Sequence, residues 1–163
     1  MVDETTVGIH PTSHGFGFVV FDSPSSLIDW GHANIRPVNN NRCLEKAAHL
    51  LSEHEPRVVV IEDENHASTR RGLRSQQLLT SIAEFASKAG ADVVRVRRVD
   101  MRAAFAEMGA RTNHEIAVLI ASMHQELERH LPRRRRIWMS EDERISMFLA
   151  ASFVRVHFRL RHG

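Results

Sequence analysis

Val7-Gly8-Ile9-His10-Pro11-Thr12-Ser13 and Arg57-Val58-Val59-Val60-Ile61-Glu62 are the two stretches on which the fold turns. The first reads as a strand over 5–10, halted by the turn residues Pro11 to His14. The second reads as a strand over 57–62 that is buried on both faces, because consecutive β-branched residues leave no polar side for water. Its last residue is a carboxylate. A run this apolar that ends on Glu62 points to a strand whose carboxyl end opens onto a site.

Working outward, strands are expected over 15–22 and 27–35, separated from each other by Ser23-Pro24-Ser25-Ser26. Leu44, Ala47, Ala48 and Leu51 recur at helical spacing and stop before Pro56. A second helix over 74–89 places Leu79, Ile82, Ala83 and Ala86 on its core face, and a fifth strand follows over 92–97. Thr112-x-x-Glu115 and Ser140-x-x-Glu143 both have the form of a capping box, opening two long helices. The first of these presents Ile116, Leu119, Ile120, Met123 and Leu127, the last Ile145, Leu149, Ser152, Phe153 and Val156. The order β-β-β-α-β-α-β-α-α predicts an α/β layer, an antiparallel meander beside parallel strands joined by right-handed crossovers. No repeat or low-complexity linker interrupts residues 1–163, so one domain is expected. In such a sheet His10 and Glu62, each closing a parallel strand, should be neighbours.

Composition narrows the class. The chain is 42% apolar and 26% charged, which suits a folded protein and argues against disorder. One cysteine, Cys43, closes no intrachain disulfide, and no long apolar run marks a secretory signal or a spanning helix. A cytoplasmic protein with no membrane partner is expected.

The net charge of +2 conceals a division. Residues 1–66 carry 4 basic and 10 acidic side chains, net −6, and residues 67–163 carry 18 and 10, net +8. Of the 22 basic residues 20 are arginines. They cluster as Arg70, Arg71 and Arg74, as Arg95, Arg97, Arg98 and Arg102, as Arg129 with Arg133, Arg134, Arg135 and Arg136, and as Arg155, Arg159 and Arg161. Arginine forks match phosphate oxygens, so the clusters point to nucleic acid, and each taken singly is also consistent with a solvated surface. Arg70, Arg71, Arg74, Arg97, Arg98 and Arg133 to Arg136 are the candidate contacts.

The strand 7–13, the Gly-rich strand after it, the strand ending in Glu62 and the acidic start of the last helix together resemble the RuvC-type Holliday junction resolvases of the RNase H-like superfamily. The likeness runs over nearly the whole chain. It implies an RNase H-like fold with a five-stranded mixed sheet, cleavage of branched DNA, a two-fold homodimer, and Mg²⁺ or Mn²⁺ as cofactor. Such a site converges carboxylates on two divalent ions about 4 Å apart, which activate water and stabilise the leaving oxygen.

The resemblance implies a metal site of Glu62, Asp142 and His10, with Glu141 beside them in the catalytic set. Glu62 stands where the family has its strand-four glutamate, although Glu62-Asp63-Glu64 also reads as an acidic loop. His10 stands where the family has Asp, and imidazole suits a transition ion better than Mg²⁺. A hydrogen-bonded structural histidine is the competing reading. Asp142 lies along the stripe of Ile145 and Leu149 and is expected to point towards Glu62, whereas Glu143 is expected to be used by the capping box. Glu141 and Asp142 also suit the positive end of a helix. The family's final Asp falls at or near Leu149, or at Arg144 in another register, so no carboxylate fills that place. Two readings follow: a metal-dependent endonuclease on branched or structured DNA, or a degenerate relative that binds nucleic acid without hydrolysis. For the dimer, the helix 74–89 is a candidate surface because Leu73, Leu78 and Phe85 lie outside its core stripe.

Overall fold

The protein is described by a computed structural model that covers residues 4–133 and 143–162. Strands β1 (Thr6–Thr12), β2 (Gly15–Ser23) and β3 (Ser26–Asn34) form an antiparallel meander. Helix α1 (Asn40–His54) leads to β4 (Val58–Glu62), and α2 (Leu73–Lys88) leads to β5 (Asp92–Val96). The sheet order is β3-β2-β1-β4-β5, with β1, β4 and β5 parallel. This is the expected mixed five-stranded α/β sheet. Helices α3 (Arg98–Glu107), α4 (Asn113–Met123) and α5 (Ile145–His162) follow, with a 3₁₀ helix over Gln125–His130 after α4.

Alternation along the strands feeds two cores. Val7, Ile9, Val59 and Ile61 pack with α1 and α2, whereas Val19, Phe21, Val58 and Val60 pack with α3, α4 and α5. All five residues of β4 are buried, because helices cover both faces of the parallel part of the sheet. Asn39 caps α1 by accepting from the Arg42 amide, and the Thr112–Glu115 capping box of α4 is complete.

Several elements differ from the sequence reading. β1 runs through Pro11 to Thr12, because Pro11 and Thr12 still pair with Phe16 and Gly15. Helix α3 went unforeseen: only Met101 and Phe105 of its ten residues are buried, too few to make a visible stripe. The long helix expected from Thr112 stops at Met123, where His124 turns extended and packs edge-on against Phe21. Leu127 then enters the core from the 3₁₀ turn. Leu78, expected on an outer face of α2, is fully buried, and Phe85 packs partly into the core, so Leu73 alone of that trio is strongly exposed. The start of the last helix at Ser140 lies outside the described residues. Among the described residues no helix is long and apolar enough to cross a membrane.

α5 sits unusually close to the sheet. A Cβ on Gly8 would lie 2.5 Å from Val154 Cγ2 and 3.0 Å from the Ala150 carbonyl. On Gly17 it would lie 2.1 Å from Ser146 Oγ and 2.6 Å from the Met147 nitrogen. These two strand positions have no room for a side chain while α5 keeps its place. Gly17→Ala should therefore lower the unfolding free energy by about 1–3 kcal/mol, as overpacking does. Urea denaturation measures it, and an unchanged midpoint would mean that α5 is free to slide.

Candidate functional site

β1 and β4 pair in parallel with Gly8 opposite Val60. Two residues on, the same register brings His10 level with Glu62 at the carboxyl edge of the sheet, on the face that α5 covers. The expected neighbours do converge, but a third residue stands between them.

Glu62 is 1% exposed. Its Oε2 accepts the Thr69 hydroxyl at 2.5 Å, and its Oε1 accepts Arg71 Nε at 3.1 Å. Arg71 continues outward from that bond. Its Nη1 donates to the Pro11 carbonyl at 3.0 Å and to Ser75 Oγ at 2.8 Å. Its Nη2 lies 3.0 Å from His10 Nδ1 and 3.1 Å from His10 Nε2. A point that close to both ring nitrogens would collide with the carbon between them if it lay in the ring plane. Nη2 therefore sits over the face of the imidazole, as a cation against a π-system. Phe153 of α5 also stacks on this ring, with centroids 5.7 Å apart and planes at 28°.

The loop between β4 and α2 aims Arg71 inward. The Asp63 amide bonds the Val96 carbonyl, the Thr69 amide bonds that of His66, and Gln76 Nε2 holds the Arg71 carbonyl at 2.9 Å. Burial lowers the His10 pKa well below the usual histidine value, and the charges of Arg71, Arg98 and Arg102 push it the same way. His10 is thus a neutral ring. Burial also lowers the Arg71 pKa, with Arg98 and Arg74 adding to the fall and Glu62 opposing it.

Glu141, Asp142 and Arg134 to Arg136 lie outside the described residues. Glu143 accepts from His14 Nδ1 at 2.6 Å and lies 3.6 Å from Arg36, so its carboxylate is engaged across the chain with the end of β1. Leu149 is buried, and α5 carries no carboxylate over Ile145–His162. Of the arginine candidates, Arg70 and Arg133 are exposed, and Arg97 pairs with Asp100 at 2.7 Å. Arg98 is partly buried, and its charge is felt at His10. Arg71 and Arg74 turn inward, Arg74 donating to the Thr12 carbonyl at 2.8 Å and to Asn40 Oδ1 at 3.1 Å. The sequence reading missed Thr69, Ser75 and Phe153 as parts of the site. Arg71 offered one signal: it lies just before the N-cap Gly72 of α2, where the helix dipole disfavours a cation unless something compensates.

A divalent ion does not fit this arrangement. Both Glu62 oxygens already accept hydrogen bonds, the guanidinium lies between residues 10 and 62, and His10 offers a neutral nitrogen where a hard ion wants oxygen. No cluster of three or more His, Cys, Asp or Glu with metal-binding geometry occurs among the described residues.

No family model matches the chain, and no curated protein sequence does. Solved structures do resemble it. RuvC of Thermus thermophilus aligns with a TM-score of 0.64 at 15% identity, covering 96% of each chain. The same organism's RuvC in complex with a Holliday junction substrate gives 0.63 at 12% identity over 98% of each. The yeast mitochondrial Holliday junction resolvase gives 0.60 at 15% identity, over 96% of this chain and 80% of that one. The chain has a RuvC-like fold.

Two outcomes follow from the pocket. Arg71→Met should cost about 3–5 kcal/mol by leaving a buried carboxylate without its partner. Glu62→Gln combined with Arg71→Met should cost less than the two single changes summed, a coupling that a double-mutant cycle reads directly. Second, His10 and His124 both have lowered folded-state values, so the unfolded chain binds their protons first as pH falls. Their stabilising contribution is complete above the usual histidine value and declines progressively as pH drops below it towards the lowered folded values. His10→Phe should flatten that slope in urea titrations at several pH values, and an unaltered slope would refute the neutral ring.

Proposed function

We propose that this protein binds branched or structured DNA through its RuvC-like fold and does not cleave it by a metal-dependent reaction. One observation carries the reading: the Arg71 guanidinium spans His10 and Glu62, the pair expected to hold metal. Glu62 is thereby committed to a cation that activates no water. Fold alone does not decide between binding and cleavage, and the chemistry of the residues present favours binding.

The DNA partner is suggested by the Holliday junction complex of the similar Thermus thermophilus RuvC. Phosphate contacts are assigned to the exposed Arg70 and Arg133, to Arg97 and Arg98 after β5, and to the run Arg134 to Arg136. Arg71 and Arg74 serve by fixing the carboxyl edge of the sheet beneath them. We take the protein to act as a homodimer, matching the symmetry of a four-way junction, with the exposed Leu73 near the contact. The single buried Cys43 suits a reducing cytoplasm.

A fluorescently labelled four-way junction tests the reading. Binding should persist in EDTA and weaken steeply with salt, and replacing Arg133 to Arg136 with Ala should reduce the salt slope by about one unit for each phosphate these arginines neutralise. No product should form with Mg²⁺ or Mn²⁺. Junction cleavage that disappears in Glu62→Gln would establish the endonuclease instead.

A further inference from the structure

We propose that the guanidinium of Arg71 is the resident cation of this pocket, standing between residues 10 and 62 in place of a divalent ion, and that removing it uncovers a site for Mn²⁺ or Mg²⁺. The proposal rests on the non-hydrolytic reading above and deepens it by naming what answers the demand for positive charge.

A carboxylate as buried as Glu62 requires a counter-charge. Arg71 supplies it from a position that is otherwise hostile to a cation. Its side chain is 11% exposed, it precedes the start of α2, and Arg98 and Arg74 repel it. Among its described contacts only Glu62 offsets those costs with charge. The donors of the fork are then matched to groups from three elements: the β4 carboxylate, the α2 hydroxyl of Ser75, and from β1 the carbonyl of Pro11 and the face of His10. These partners stand about 3 Å from nitrogen, the spacing of N–H donors and longer than that of metal ligands. Without the side chain, a carboxylate, a carbonyl and a hydroxyl would face one cavity. That is a set of hard oxygens which a hydrated divalent ion can enter.

Mn²⁺ titrated into the full chain, with free ion followed by electron paramagnetic resonance, separates the outcomes. At about 1 mM ion, the parent protein should take up no Mn²⁺ that Glu62→Gln fails to take up. Arg71→Ala should melt about 10 °C lower and regain several degrees in about 5 mM Mn²⁺ or guanidinium chloride, measured against matched NaCl. Glu62-dependent uptake by the parent protein overturns the proposal, as does an Arg71→Ala melt that Mn²⁺ does not raise. If Arg71→Ala does not fold, Arg71→Gln, which keeps an amide donor for Glu62, takes its place in the same titration. Failure to bind a junction would sink the functional reading and leave this titration untouched.

Discussion

Helix α5 lies against β1 and β2 at two strand positions that have no side chain, Gly8 and Gly17, and the rest of the site follows from that approach. A helix held this near leaves no layer of water between itself and the sheet. Phe153 is brought onto the ring of His10, and dehydration keeps that ring neutral. Glu62, on the same face of the neighbouring strand, is a buried carboxylate whose two oxygens accept from Thr69 and Arg71. The pocket thus has to import positive charge. It does so from the loop before α2, and the resulting contacts of Arg71 fasten β1, β4 and α2 together at one edge.

The layers were legible because burial imposes period. The all-apolar β4, the stripes of α1 and α2, and the Thr112–Glu115 box each betray themselves within a few residues. α3 did not, because it touches the core through one edge only. Where His124 breaks its helix, a contact with Phe21 outweighs local propensity, and nothing near residue 124 in the chain announces it.

The site was legible in its anchor and opaque in its wiring. Glu62 stood out as a charge ending an apolar run. The role of Arg71 did not, because Arg70, Arg71 and Arg74 look alike as a cluster, and only the fold turns Arg71 and Arg74 inward and leaves Arg70 exposed. The pairing of Glu143 with His14 joins residues 129 positions apart, and local spacing had assigned that carboxylate to a cap. Counting arginines also overstates the surface available to phosphate. Arg71, Arg74, Arg95 and Arg155 are spent on Glu62, on the Thr12 carbonyl, on Glu64 and on the Pro24 carbonyl.

The fork of Arg71 also bears on how such a protein can change over generations. Replacing His10 by aspartate alone would hand the guanidinium a second carboxylate and bind it more firmly, which moves the pocket further from metal. Replacing Arg71 alone strands Glu62. A single change at position 10 thus tightens the lock, and a single change at position 71 costs stability. The order of change matters: position 71 must change first, with another cation answering the charge of Glu62, because a change at position 10, 61 residues away in the chain, locks the guanidinium in place.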